Sequence, residues 1–254
     1  MKRFTIAFMM LMLMVVKQGF AQTNFYINAS AAIPVGDYAS GYNEKTCALL
    51  SNKGWGGGAG LGANLDLKLK FNIGVKGLGV FLSLDGNYNG LNEGVNNYLD
   101  DLKYQIWDEI DGYVPMEKPW YLNTCAMTGV NYVFQINPKF GVFGEVGVGA
   151  NFRYISDLYI IAVEDDYYSY FRASEEAYYD PKFTLAFQVG TGIEINKRFV
   201  FGMSFYHLGA ARIQGCDYTS VSDGDDWDFN TDYFRFNDVT PMLIMARLGV
   251  KFGK

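Results

Sequence analysis

The strongest constraint on the fold of this chain is a period-two alternation of apolar and polar residues that recurs along most of its length. From position 59 to 70, alanine and leucine fill the odd positions, while glycine, asparagine, aspartate and lysine fill the even ones. A helix would mix these two sets on one surface, whereas a β-strand places them on opposite faces. The pattern therefore predicts strands.

Eight segments carry this alternation, and we predict strands at 24–34, 55–70, 77–89, 121–135, 140–154, 182–195, 199–209 and 242–252. Their connections alternate between short turns (71–76, 136–139 and 196–198) and long stretches (35–54, 90–120, 155–181 and 210–241). Short turns at one end and long loops at the other are typical of outer-membrane barrels. The predicted fold is all-β, an eight-stranded antiparallel, up-and-down transmembrane barrel with four long outer loops and three short inner turns.

The polar face of these strands favours a membrane barrel over a secreted, lipocalin-like one. It is rich in glycine and other small residues, which the narrow interior of an eight-stranded barrel requires and a water-facing surface does not. Aromatic residues near the strand ends would form an interfacial girdle; they are Tyr26, Trp55, Tyr88, Trp120, Tyr121, Tyr132 and Tyr154.

The first 21 residues predict a cleaved signal peptide. Lys2 and Arg3 precede an apolar stretch, 4–16, that is too short to cross a bilayer as a helix. Gly19 and Ala21 supply the small residues of a cleavage site. We therefore expect a signal peptide at 1–21 and a barrel domain at 22–254, exported to the bacterial outer membrane.

Four stretches carry a resemblance to a known family: ASAAIPVGDYA (29–39), GLGVFLSLDGNYNGLN (77–92), KFGVFGEVGVGANF (139–152) and the closing LGVKFGK. They resemble small outer-membrane β-barrel proteins of Gram-negative bacteria, the porin-family group of the OmpA and OmpX type. The resemblance implies contact with outer-membrane lipids and lipopolysaccharide, insertion by the barrel-assembly machinery, and no cofactor. The formal charge of −6 argues against a nucleic-acid partner.

Alternation also predicts which charged side chains face the barrel interior: Asp66, Lys68, Lys70, Asp85, Glu145, Arg153, Glu194, Arg247 and Lys251. Their charges nearly balance, so we expect ion pairs, because an unpaired buried charge is costly. Counting from the short turns places Asp66, Glu145 and Arg247 in one layer. We predict that Arg247 bridges the two carboxylates and plugs the barrel.

Enzymatic and metal sites have weak sequence support. His207 is the only histidine, and outer-membrane enzymes that edit lipid A use a histidine and a serine, but Ser204 falls on the opposite strand face. The glycine-rich stretch 54–62 alternates as a strand, and no helix follows it as a nucleotide-binding loop requires. Asp226, Asp228 and Asn230 begin like a calcium loop, but Thr231 and Asn237 occupy the positions of its glycine and closing glutamate. We therefore predict no catalytic residue and no metal, and interpret the acidic loops as a solvated surface.

Two further features concern the outer loops. Val95, Leu99, Leu102, Ile106 and Ile110 have helical spacing and predict a short amphipathic helix over 94–110, packed on the barrel rim or used to bind a partner. Barrel closure makes the first and last long loops neighbours, so we predict a disulfide between Cys47 and Cys216, with Cys125 left free.

Three functions remain open at this point. The first is a non-enzymatic surface protein with a filled lumen, whose loops serve envelope integrity, adhesion or contact with a ligand that the sequence does not identify. The second is a narrow passive pore for small solutes. The third is a lipid A-editing enzyme.

Overall fold

A computed structural model describes residues 23–39, 58–110, 114–166, 169–223 and 226–253 of the 254-residue chain. The predicted signal peptide, Cys47 and Trp55 lie outside the described residues. The strands are β1 (Thr23–Val35), β2 (Ala59–Asn72), β3 (Leu78–Leu91), β4 (Met116–Glu117), β5 (Tyr121–Asn137), β6 (Phe140–Ile155), β7 (Leu158–Asp166), β8 (Ser169–Tyr179), β9 (Lys182–Ile195), β10 (Phe199–His207), β11 (Ala211–Asp223), β12 (Asp226–Val239) and β13 (Met242–Phe252). One α-helix, α1 (Glu93–Ile110), follows β3.

Eight of these strands close into an antiparallel barrel in the order β1-β13-β10-β9-β6-β5-β3-β2. They correspond one to one with the eight predicted segments, so the predicted fold class is confirmed. Closure occurs between the first and last strands, where Phe25 pairs with Phe252 and Val35 with Met242. The short turns 73–77, 138–139 and 196–198 lie at one end, which we call the inner end; the long connections leave from the outer end.

The barrel exposes its apolar face and buries its polar one. On β9, Phe183, Leu185, Phe187 and Val189 are all exposed, and the same holds for alternate residues of the other barrel strands. On β2 the intervening residues Asn64, Asp66, Lys68 and Lys70 are buried. This polarity suits a barrel whose surroundings are lipid, because a soluble barrel would bury its apolar face instead.

Part of the predicted aromatic girdle is on the outer surface and part is not. The Trp120 ring lies 5.6 Å from that of Tyr88 and 5.5 Å from that of Tyr154, and Tyr132 is also exposed. Tyr26 and Tyr121, however, are only 3% and 1% exposed and point into the barrel. The prediction was wrong for these two because it used their position near a strand end and ignored which face the alternation gives them.

Two of the four predicted long loops are in fact β-hairpins. The connections 155–181 and 210–241 contain β7–β8 and β11–β12, which join β4 in a second sheet of order β12-β11-β8-β7-β4 beyond the outer end of the barrel. Main-chain bonds lie at the roots of the hairpins: Ser156 N, at the start of the first hairpin, donates to Trp120 O, just before β5, at 2.9 Å. Leu208 N donates to Pro241 O at 2.8 Å and joins the two ends of the second hairpin. The barrel rim is therefore hydrogen-bonded beneath both hairpins.

Helix α1 confirms the predicted helix over 94–110. Its start is capped by Asn92, whose side-chain oxygen accepts a hydrogen bond from Val95 N at 2.9 Å. Val95 and Leu99 are buried in one apolar cluster with Leu158 and Ile160 of β7, so the helix covers the base of the outer sheet. Among the described residues, no helix combines the length and the hydropathy needed to cross a bilayer.

Candidate functional site in the barrel interior

A layer of buried charges crosses the middle of the barrel. Lys68 lies on β2, Glu145 on β6 and Arg247 on β13, so the layer connects strands from around the circumference. Each side chain points inward because it occupies the polar parity of its strand. At most 3% of each of these three side chains is exposed.

Glu145 is the central acceptor of this layer. Its Oε1 accepts hydrogen bonds from Arg247 Nη1 at 2.7 Å and from Lys68 Nζ at 2.8 Å. Lys70 Nζ lies 3.5 Å from the other oxygen, Oε2. Three cations thus surround one carboxylate, which compensates the loss of its hydration.

Asp66 completes the layer. Its Oδ2 lies 3.4 Å from Lys68 Nζ and 4.0 Å from Arg247 Nη2, and it accepts a hydrogen bond from Asn28 Nδ2 at 2.9 Å. The structure therefore places Arg247 between Asp66 and Glu145, the two carboxylates with which the sequence grouped it. Contact with Glu145 is direct, whereas Asp66 is at the limit of an ion pair.

Sequence reasoning missed the neutral partners of this layer. Arg247 Nη2 donates to Ser204 Oγ at 2.8 Å. Asp85 accepts hydrogen bonds from Tyr206 Oη and Ser83 Oγ, both at 2.9 Å. Ser83 has the same parity as Asp85 on β3, and Ser204 and Tyr206 have the parity opposite to the exposed apolar residues of β10. That parity is the signal that could have found them.

Three of the predicted inward charges lie apart from the central layer. Lys251 Nζ pairs with Glu194 Oε1 at 2.7 Å. Arg153 lies near the outer end, where its two terminal nitrogens donate to the main-chain oxygens of Val239 at 3.1 Å and Ala211 at 2.9 Å. Arg153 therefore holds the two ends of the β11–β12 hairpin rather than a carboxylate.

Rings fill the space on either side of the charges. The Phe81 ring lies across the facing glycines of β5 and β6, and a Cβ on Gly147 would come within 2.8 Å of Phe81 Cζ. Toward the outer end, the Tyr38 and Tyr121 rings meet edge to face at 5.5 Å, and Asn123 Nδ2 donates to Tyr38 Oη at 3.0 Å. Glycine at these lumen positions makes room for aromatic rings, as expected for a narrow barrel.

The candidate catalytic pair is separated by the barrel wall. Ser204 is buried in the lumen against Arg247, while His207 has the opposite parity, and its ring lies 6.3 Å from that of Phe187, an exposed residue. Among the described residues, no group of three or more histidine, cysteine, aspartate and glutamate side chains is arranged to hold a metal ion. Asp228 and Asn230 of the calcium-like stretch are exposed residues of the extended strand β12.

The cysteine prediction stays a prediction. Cys125 is buried on β5, and its thiol donates to Asn151 Oδ1 at 3.3 Å. Cys125 and Cys216 both carry free thiols in the described part of the chain. Cys47, the predicted partner of Cys216, lies outside that part.

Comparison with known proteins finds similar solved structures but no matching sequence family. No family model and no curated protein matches the chain. Among solved structures, Ail, the attachment invasion locus protein of Yersinia pestis, is 15% identical, with 91% of this chain and 98% of that chain covered and a TM-score of 0.38. A major outer membrane protein from Thermus thermophilus is 15% identical, covering 91% and 99%, with a TM-score of 0.40.

A third neighbour is the outer membrane protein OprG from Pseudomonas aeruginosa, which is 14% identical, with 92% and 97% covered and a TM-score of 0.40. These neighbours are small outer-membrane barrels with eight strands, and the chain has a closed barrel with the same strand number. The likeness concerns the fold alone.

Proposed function

We propose that the protein is an integral outer-membrane barrel without enzymatic activity, whose closed lumen anchors an outer β-sheet for contact with ligands or surfaces. The observation that carries this proposal is the buried layer in which Glu145 binds both Arg247 and Lys68 across the lumen. A selective pore would more readily line its path with one sign of charge. Here the opposite charges are paired and desolvated, which supports a barrel that does not conduct.

The outer sheet supports the contact role. Its two hairpin segments, 155–181 and 210–241, each contain seven acidic residues, against one and two basic residues respectively. Phe229 and Tyr233 of β12 are 61% and 86% exposed. Exposed aromatic rings among charges are common in surfaces that bind other molecules.

Conductance of the refolded protein in a planar bilayer tests the closed lumen. We expect the wild-type protein to give no steady current, and Arg247→Ala to open a measurable one, because it removes the side chain that joins Glu145 to Ser204. Arg212→Ala, in the exposed outer sheet, is the matched control and should stay closed. A large, steady wild-type conductance would overturn the closed lumen and favour the pore.

A lipid A modification assay tests the absence of enzymatic activity. We expect vesicles that contain the wild-type protein to leave lipid A unchanged, because the wall of the barrel separates Ser204 from His207. Lipid A editing by the wild-type protein that disappears in His207→Ala would contradict this part of the proposal. The conductance result would not be affected, so the two parts fail separately.

A further inference from the structure

The inner end of the barrel contains a cavity that the central charged layer does not use. Its volume is about 360 Å³, within the usual range of small-molecule sites. Strands β1, β2, β5, β9 and β13 and the turn 73–77 contribute to its lining. Four charged side chains border it, namely Lys70, Lys76, Glu194 and Lys251, so cations outnumber the single carboxylate.

Lys70 is the buried cation of this cavity and is poorly matched by its own neighbours. Its side chain is 7% exposed, and the carboxylate nearest to its Nζ is Glu145, at 3.5 Å. That carboxylate already accepts short hydrogen bonds from Lys68 and Arg247 through its other oxygen. The Lys70 ammonium also lies 4.6 Å from the centre of the Tyr26 ring and 5.0 Å from that of Phe143, neither of which offers an anionic partner. A buried ammonium with three donors and one distant acceptor is suited to an additional anion.

The other two lysines of the cavity differ from Lys70 in their ion pairs and their exposure. Lys251 is paired with Glu194 at 2.7 Å, so its charge is compensated within the cavity. Lys76 lies in the exposed turn between β2 and β3, at the mouth of the cavity. An entering anion would therefore meet Lys76 first and Lys70 at the buried end.

Two amide side chains of the cavity need a hydrogen-bond donor rather than an anion. Asn24 and Asn131 line the cavity and are 7% and 5% exposed. In the part of the chain that the structure describes, neither Asn24 Oδ1 nor Asn131 Oδ1 has a hydrogen-bond partner. A buried acceptor without a donor costs free energy, so these oxygens favour a ligand that brings hydroxyl or amino groups.

The surroundings of the cavity attract anions. The three short turns at this end carry Lys76, Lys139, Lys197 and Arg198 and no acidic residue. Positive charge around a recess raises the local concentration of anions and their rate of entry. The outer sheet, in contrast, is rich in acidic residues.

We propose that this inner cavity binds a hydroxylated carboxylate, with the acid group held by Lys70 at the buried end, Lys76 at the entrance, and neighbouring hydroxyls donating to Asn24 and Asn131. A sugar acid has this chemistry and a size that the cavity accommodates. The ligand is either a free small acid or the acidic end of a polymer. Both present the same groups to the cavity, and both approach from the side of the short turns.

Isothermal titration of the refolded full chain with D-galacturonate tests the site. We expect saturable binding that exceeds that of galactose, which lacks the charge, and that of cyclohexanecarboxylate, which has a ring and the charge but no hydroxyls. Equal binding of galacturonate and cyclohexanecarboxylate would overturn the role of the two asparagines. No galacturonate binding at millimolar concentration would overturn the site.

Two lysine variants locate the binding. Lys70→Met keeps an unbranched side chain one atom shorter, removes its charge and should weaken galacturonate binding about tenfold or more. Lys139→Met, in a turn that does not line the cavity, is the matched control and should bind as the wild type does. An equal loss in both variants would show general attraction to a basic surface and would overturn the site. Lys76→Gln removes the charge at the entrance and should also weaken galacturonate binding. Because Lys76 lies in an exposed turn, this variant carries no risk to the barrel fold.

Trigalacturonate distinguishes the two sources of the ligand. If the cavity takes the end of a polymer, the trimer should bind more tightly than the monomer, because its additional carboxylates reach the basic turns. If the ligand is a free small acid, the monomer should bind equally well or better. Either result supports the site, provided that Lys70→Met weakens both sugars.

Discussion

The barrel interior and the outer sheet use the same chemical groups under opposite conditions. In the interior, Arg247 contacts Glu145 at 2.7 Å with 3% and 0% of the two side chains exposed. In the outer sheet, Arg212 contacts Asp238 at 3.3 Å with 51% and 59% exposed. The first pair has lost its water and depends on its partners, whereas the second pair remains hydrated.

This difference indicates which ion pairs contribute most to the free energy of unfolding. A desolvated ion pair that loses one member leaves a buried charge, while a hydrated pair exchanges its partner for water. The barrel should therefore respond strongly to single changes in its interior. The outer sheet should tolerate change, which suits a surface whose contacts vary.

The sharpest test of the comparison removes one arginine from each region. We expect Arg247→Ala to lower the free energy of unfolding by about 3–5 kcal/mol, because Glu145 loses a direct partner in a desolvated site. Arg212→Ala should change it by no more than about 1 kcal/mol. Urea unfolding of the refolded barrels measures both. Equal effects would show that Arg247 is solvated by water in the lumen and would remove the contrast.

A second pair of changes compares two tyrosine–carboxylate hydrogen bonds. Tyr206 Oη donates to Asp85 at 2.9 Å inside the barrel, and Tyr178 Oη donates to Glu176 on the exposed outer sheet. Tyr206→Phe leaves a buried carboxylate oxygen without its donor and should cost about 1–3 kcal/mol. Tyr178→Phe should stay within about 0.5 kcal/mol. Thermal unfolding of the two variants measures both losses of stability. A larger loss for Tyr178→Phe would contradict the expectation that the interior is the more sensitive region.

The junction between the regions is tested at Arg153. This side chain donates to Ala211 O and Val239 O, which lie at the two ends of the β11–β12 hairpin. Arg153→Ala should cost about 1 kcal/mol locally and speed hydrogen exchange in β11 and β12 roughly fivefold, with β2 and β3 unchanged. Lys182→Ala, which removes a partly exposed pair with Asp180, is the control. Faster exchange throughout the barrel would show that the hairpin and the barrel open together.

The smallest expected effect is a titration in the outer sheet. The hydrogen bond to Glu176 raises the pKa of Tyr178 from 10.0 to about 12. Because the folded pKa is raised, the bond contributes stability below pH 10 and loses it as pH rises from 10 to about 12. Absorbance of the wild type minus Tyr178→Phe should show this ionisation near pH 12. Glu176→Gln should move it toward 10, while Glu117→Gln should not; no shift in Glu176→Gln would mean that the bond does not set the pKa.

Much of the barrel could be predicted from the sequence because a lipid environment enforces strict alternation. The same rule placed Asp66, Glu145 and Arg247 on the inner face, and counting from the short turns placed them in one layer. Their neutral partners could not be found in this way. Tyr206 meets Asp85 across 121 residues of chain, and such a contact depends on how the strands are staggered.

The outer hairpins were missed for a different reason. Residues 226–233 alternate Asp or Asn with aromatic residues or threonine, and the dipeptide Gly224-Asp225, which separates the paired Asp223 and Asp226, is a hairpin signal. From the sequence alone, we interpret the same acidic residues as a solvated surface, because Thr231 and Asn237 break the calcium-loop pattern. A strand that is solvated on much of its surface has a weak hydrophobic pattern, so the turn dipeptide was the better guide.

The main-chain bridges at the rim mark where changes of hairpin length can be absorbed without breaking the pairing of the barrel strands. Because Leu208 N already bonds to Pro241 O, and Ser156 N to Trp120 O, the rim stays hydrogen-bonded whatever sequence extends beyond it. Insertions or deletions beyond these bonds would then change the outer sheet and leave the paired barrel strands in place.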